Sequence, residues 1–142
     1  MKFNAIIVSG YFNPLHKGHL EYFKKAKSLG KKLFVIVNND NQRKLKGSKE
    51  FMLEDERLLI INELKITDKV FLSIDNDRSV SSTIERIHSK YSLKYNLFFV
   101  NGGDQSNNNI PEAKTCLNLD IKLIDGLGNK IQSSSWLLNK KK

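Results

Sequence analysis

Ala5-Ile6-Ile7-Val8-Ser9-Gly10-Tyr11-Phe12-Asn13-Pro14-Leu15-His16-Lys17-Gly18-His19 joins an apolar run, a stop and two histidines near one helix start. Residues 3–9 read as a short strand buried on both faces, because the run at its centre lacks polar alternation. Gly10 lets the chain turn sharply off the strand, and Pro14 stiffens the approach to the helix. His16 and His19 are three apart, so their rings lie on one side, one turn from each other. Gly18 has no side chain to keep a phosphate from the helix N-terminus, where free N–H groups and the dipole attract anions. Two imidazoles there suit hydrogen bonding to an α-phosphate as negative charge grows on it. The plainer reading is a helix start with two incidental histidines. A metal pair is a third, but His88 falls on a different predicted helix and no cysteine cluster accompanies it. Strand end, glycine and both histidines coincide, and that favours the phosphate site.

Working outward, the pattern repeats. Residues 17–29 carry Leu20, Phe23, Ala26 and Leu29 at helical spacing, with Gly30 as the expected stop. Residues 33–37 (LFVIV) form a second buried strand. After a polar loop, 54–64 reads as a helix and 70–74 as a third strand. Val80, Ile84, Ile87 and Tyr91 share one face of another helix. Residues 97–100 are a fourth strand and 121–124 a fifth, and 133–140 looks like a closing helix with a serine cap. Strands apolar on both faces, alternating with helices, predict a doubly wound, Rossmann-like parallel α/β sheet of about five strands, with helices on both faces. Functional residues are then expected just after the strands. No repeat or linker divides 1–142, so a single domain is expected.

Composition narrows the function. Hydrophobic residues at 39% against 27% charged residues give an ordinary globular balance. The longest apolar run near the start is too short for a signal peptide or membrane span. One cysteine, Cys116, forms no internal disulfide, so a cytoplasmic location is expected. The net charge of +9 comes from lysine more than arginine, since only Arg43, Arg57, Arg78 and Arg86 contribute guanidinium groups. A lysine coat attracts triphosphates, but the arginine and aromatic interleaving of nucleic-acid binders is missing.

The segment around His16, Gly18 and His19 resembles the HxGH signature of the cytidylyltransferase-like nucleotidyltransferase superfamily, nearest in its motifs to heptose-1-phosphate adenylyltransferase and glycerol-3-phosphate cytidylyltransferase. Later motifs follow in order over nearly the whole chain. The resemblance implies that His16 and His19 are catalytic and that Gly10, Tyr11, Phe12, Asn13 and Gly18 surround the nucleotide. Asp40, after the second strand, resembles a carboxylate facing the acceptor. Lys44-Leu45-Lys46-Gly47 resembles a mobile loop, with Lys46 closing on the triphosphate. Arg57 resembles an arginine that holds nucleotide or acceptor phosphate. Gly102, Gly103 and Asp104 resemble the turn bordering ribose and base. Ile131, Ser133, Ser134 and Ser135 resemble the cap that receives the β- and γ-phosphates. Tyr11 stands where a small residue is common, and Asn13 where two branches of the superfamily carry Asp.

The implied reaction moves a nucleoside monophosphate from ATP or CTP to a sugar or alditol phosphate, with release of pyrophosphate. Mg²⁺ accompanies the triphosphate, and no metal site of the protein's own is implied. The expected partners are a nucleoside triphosphate and a small phosphorylated acceptor, without membrane or nucleic acid; a homodimer is expected by analogy. The rival is a nucleotide- or RNA-binding module of the same fold that has lost catalysis.

Overall fold

The computed structural model describes residues 2–101 and 110–124. Within them the chain runs β1 (Phe3–Gly10), α1 (Lys17–Lys27), β2 (Lys32–Val37), α2 (Asp40–Lys46), α3 (Glu54–Glu63), β3 (Lys69–Leu72), α4 (Ser81–Tyr91), β4 (Tyr95–Val100), α5 (Glu112–Asn118) and β5 (Lys122–Ile124). The strands form one sheet in the order β3-β2-β1-β4-β5, and every neighbouring pair is parallel. This is the doubly wound α/β fold the apolar runs predict.

Alternate residues of each strand feed opposite cores. Ala5, Ile7, Phe34, Ile36, Leu97 and Phe99 face α4 and α5, where Ile84, Ile87 and Cys116 meet them. Ile6, Val8, Leu33, Val35, Val37 and Val100 face α1 and α3, where Phe23, Ala26 and Ile61 close the layer. The central strands are therefore uniformly apolar because both their faces are covered. Winding proceeds outward from β1 to β3, then returns to place β4 against β1's other edge. The order reverses between β1 and β4, and a crevice opens there at the carboxyl ends.

Three details differ from the sequence reading. The expected polar loop after β2 contains α2, whose N-cap Asn39 accepts from the N–H of Gln42 while Gln42's side chain bonds back to the N-cap backbone. Gly47 ends that helix in the left-handed region at φ 83°. Helix α1 stops at Lys27 with Ser28 as its cap, two residues before the expected end. Gly30 has a different reason from termination: a Cβ there would lie 2.6 Å from the carbonyl oxygen of Asn4. Its lack of a side chain lets the turn before β2 press against β1.

Candidate active site

At the switch between β1 and β4 lies a cleft of about 800 Å³. Ser9 and Gly10 reach it from β1, Phe99, Val100 and Asn101 from the end of β4, His16 and His19 from α1, and Lys46, Ser48 and Lys49 from the α2 side. Tyr11, Asn13 and Tyr22 complete much of the wall.

The loop between β1 and α1 is held by burial. Phe12 adopts φ 53°, a left-handed conformation unfavourable for a bulky side chain, yet its ring is only 2% exposed. The ring meets His19 edge-on at 5.0 Å and Phe23 at 5.4 Å. Its burial offsets the backbone strain and fixes the wall beside His19. Gly10 makes room for that ring, since a Cβ on it would stand 2.8 Å from two ring atoms. Asn13, joined to Pro14 by a cis peptide, has its amide bonded to the 49–52 segment. Its Oδ1 accepts from the N–H groups of Phe51 and Met52, and its Nδ2 donates to the carbonyl of Lys49.

His16 and His19 form a reciprocal cap on α1. Gly18 N–H donates to His16 Nδ1 at 3.1 Å, and His16 N–H donates to His19 Nδ1 at 3.1 Å. A backbone N–H cannot be accepted by a protonated nitrogen, so each neutral ring carries its hydrogen on Nε2. The rings lie 3.9 Å apart and line the cleft, with Nε2–H left as the donor available to a ligand. Burial, and then the neighbouring His16, lower the His19 pKa from 6.5 to about 4. His19 is therefore a neutral donor at physiological pH. Gly18 is small because a Cβ would come within 3.0 Å of the His16 ring. It seats the capping imidazole as well as exposing the helix end.

Lys46 is brought to the cleft as expected, with Nζ 4.4 Å over the Tyr11 ring. It sits in the last turn of a helix rather than in a loop, and exposed Lys44 is not among the cleft residues. Arg57 departs most from expectation. It is 1% exposed, and its guanidinium donates to the carbonyls of Met52, Tyr11 and Asn38 and to Asp40 Oδ1. Those bonds engage all three guanidinium nitrogens, so Arg57 fastens the ends of β1 and β2 beneath the cleft. Asp40 is also engaged inward. It pairs with Arg57 at 2.8 Å, accepts from the Glu54 N–H, and donates its own N–H to the Glu54 carboxylate.

Gly102, Gly103, Asp104, Ile131, Ser133, Ser134 and Ser135, with the expected closing helix, lie outside the described residues. Among the described ones, sequence reasoning missed Tyr22 and Gln42. Tyr22 is buried and donates its hydroxyl to the carbonyl of Val100 at 2.5 Å, tying α1 to the end of β4. Its spacing three residues after His19 was a usable sign that it shares that helix face. Asn39, Gln42 and Gly47 spell a capped short helix, which would have placed Gln42 at a helix N-terminus. Cys116, buried behind the sheet with its thiol pushed up to about 12, is no nucleophile. No helix among the described residues is long and apolar enough to cross a membrane.

The sequence model of the cytidylyltransferase-like family matches residues 7–137. The chain is 30% identical over 135 residues to the FAD synthase of Thermoplasma volcanium, covering 95% of this chain and 92% of that protein. It is 33% identical over 114 residues to the bifunctional protein HldE of Blochmanniella floridana, covering 79% of this chain but 22% of that longer protein. Among solved structures, a lipopolysaccharide core biosynthesis protein of Thermoplasma volcanium superposes with a TM-score of 0.67 at 25% identity. That superposition covers 87% of this chain and 95% of the other.

Proposed function

This chain belongs to the cytidylyltransferase-like family and is a nucleotidyltransferase, and from that premise we propose that it transfers a nucleoside monophosphate from ATP or CTP to a phosphomonoester, releasing pyrophosphate. The observation that carries the reading is the histidine pair. His16 and His19 each have Nδ1 bound to backbone, each keep Nε2–H as a donor, and both line the switch-point cleft.

An oxygen of the acceptor's phosphate attacks the α-phosphorus as the bond to the β-phosphate oxygen breaks, so pyrophosphate leaves with that bond's electrons. The acceptor phosphate is already ionised near neutral pH, so no strong base is required and catalysis rests on positioning and charge neutralisation. His16 and His19 donate to the α-phosphate oxygens as their charge rises, and Lys46 balances the departing pyrophosphate. Among the described residues no group of three His, Cys, Asp or Glu side chains could hold a metal. Mg²⁺, if it accompanies the incoming triphosphate, would add charge neutralisation at the phosphates. Ser133, Ser134 and Ser135 keep their proposed role at the terminal phosphates, with Gly102, Gly103, Asp104 and Ile131 nearer the nucleoside.

The FAD synthase likeness favours ATP and adds a flavin phosphate to the sugar and alditol phosphates worth trying. The test crosses four nucleoside triphosphates with these acceptors and follows pyrophosphate. Acceptor-dependent release from one pair supports the reading. Tight nucleotide binding with no release from any pair would favour a module that has lost catalysis. We place the enzyme in the cytoplasm and expect a homodimer, which light scattering tests.

A further inference from the structure

At the end of the sheet opposite the cleft, lysines and apolar side chains share one surface. The strands are all parallel, so their starts and the ends of the helices between them lie along one amino edge. Lys31 holds Nζ 5.5 Å over the Phe3 ring, and Lys94 lies 5.6 Å over Tyr95. Lys69 and Lys90 stand 5.6 and 5.7 Å over the ring of Tyr91. Lys2 reaches the same place, its Nζ donating to the carbonyl of Ser92 at 3.0 Å. The rings are themselves linked, because Phe3 pairs in register with Tyr95, and Tyr91 lies 6.3 Å from Tyr95. All of these lysines are exposed, and among the described residues none forms an ion pair. The carboxylates in the turns that feed the strands are Asp68, already paired with Lys27 at 2.8 Å, and Asp120, beside the edge strand β5.

Apolar side chains stand out among these charges. Leu93, between Ser92 and Lys94, is 93% exposed, and Phe3 is 53% exposed beneath Lys31. Leu29 is exposed as well, and its neighbour Gly30 is pressed against Asn4, next to Phe3. A helix dipole accounts for a cation in a last turn, such as Lys90, but Lys2, Lys31 and Lys94 stand just before strands. Composition gives the lysine content and not its placement, so the sequence alone suggests no membrane. The placement selects one kind of partner. Two copies meeting here about a two-fold axis would set lysine against lysine. Single-stranded nucleic acid is held by stacking on exposed aromatic rings, whereas the most exposed side chain here is the aliphatic Leu93, and no arginine stands in these turns. Lysines ringed around protruding apolar groups suit an anionic bilayer: the apolar tips enter the headgroup boundary while the ammonium groups meet lipid phosphates.

We propose that the amino edge of the sheet docks on an anionic membrane surface, with Leu93 and Phe3 inserted and the surrounding lysines on the headgroups, so that the cleft faces away from the bilayer. This stands apart from the nucleotidyltransfer reading, and its failure would leave that reading untouched. The full chain is sedimented with vesicles of phosphatidylcholine alone and of phosphatidylcholine mixed with phosphatidylglycerol. It should bind the mixed vesicles, leave the neutral ones, and be released as salt shortens the reach of the charges. A lysine beside an anionic surface contributes about fivefold in affinity, so Lys31→Gln and Lys94→Gln together should weaken binding by about twentyfold. Leu93→Ser should weaken it by about tenfold through lost insertion. Lys44→Gln, at the carboxyl edge, should change it by less than about twofold, because that charge is screened from the membrane across the width of the sheet. All four positions are exposed, so melting curves should match the wild type. The proposal is overturned if the wild type leaves mixed vesicles unbound, if it binds neutral vesicles equally well, or if Lys44→Gln costs as much as either amino-edge lysine. Binding of polyuridylate that these variants lose, with vesicles unbound, would make the surface a nucleic-acid site instead.

Discussion

The carboxyl edge of the sheet treats its polar side chains in two opposite ways. Over β1 and β4, His16 and His19 each give one nitrogen to the backbone and keep the other for a ligand. Over β2 and β3, Gln42 and Arg57 direct their polar atoms at the chain itself. The first half is the proposed site and the second is its foundation. The same residue types could serve either purpose, so the distinction lies in which donors remain unbonded, not in residue identity.

The largest expected effect tests the foundation. Replacing Arg57 by alanine leaves three carbonyls and the Asp40 carboxylate without their partner in a buried place. Stability should fall by about 3–5 kcal/mol, the usual cost of breaking a buried pair from one side. Urea unfolding measures it. Arg57→Lys should recover little, because one ammonium cannot reach four acceptors set around a planar group. A variant of normal stability with weakened nucleotide binding would return Arg57 to the phosphates and erase the contrast.

The site half is tested next. His16→Ala or His19→Ala should lower turnover by about 10² or more, as the loss of a transition-state donor does, with nucleotide affinity falling far less. Each substitution also removes half of the α1 cap, at about 1 kcal/mol. Melting curves separate that cost from catalysis. A folded variant with near-normal turnover would mean that the histidine only caps the helix.

How much of this was legible depends on how far apart the partners lie. The two cores follow from strands apolar at every position, and the His16–His19 spacing puts both rings on one turn. Such signals lie within a few residues of one another. Arg57 carries no such signal: its acceptors Tyr11, Asn38 and Asp40 are 46, 19 and 17 residues away. Only the finished sheet brings them together, so an arginine in an acidic helix start looks solvent-facing in sequence. Glycines were legible as special but not for their reasons. Gly10 and Gly18 make room for the rings of Phe12 and His16, contacts that no turn propensity encodes. Helix α2 is legible in Asn39, Gln42 and Gly47, although its run of charged residues resembles a loop.

A smaller effect follows from the His19 ring, whose pKa burial and His16 lower from 6.5 to about 4. Between those values the unfolded chain binds a proton that the folded chain refuses. Stability should therefore fall as pH drops from about 6.5 towards 4 and change no further from this group below that. Partial solvent contact moderates the size. Urea titrations at stepped pH, comparing wild type with His19→Gln, isolate the slope. Equal slopes would show that His19 titrates as an ordinary histidine, and so is not held neutral for donation.

The smallest expected effect probes the residue that belongs to both halves. Asn13 lies in the histidine loop, yet its amide is bonded to residues 49, 51 and 52 in the manner of the foundation. Asn13→Asp would keep the two acceptor contacts with the N–H groups of Phe51 and Met52. It would lose the donor to the Lys49 carbonyl and set a carboxylate against that oxygen, at a cost of about 1 kcal/mol. The segment at 49–52 should then loosen while His16 and His19 stay capped, because their bonds do not pass through Asn13. Limited proteolysis should cut that segment faster, the melting temperature should fall by a few degrees, and turnover should change only modestly. If turnover instead collapses with stability and proteolysis unchanged, Asn13 touches the substrate directly. The boundary between site and foundation would then run on the other side of this residue.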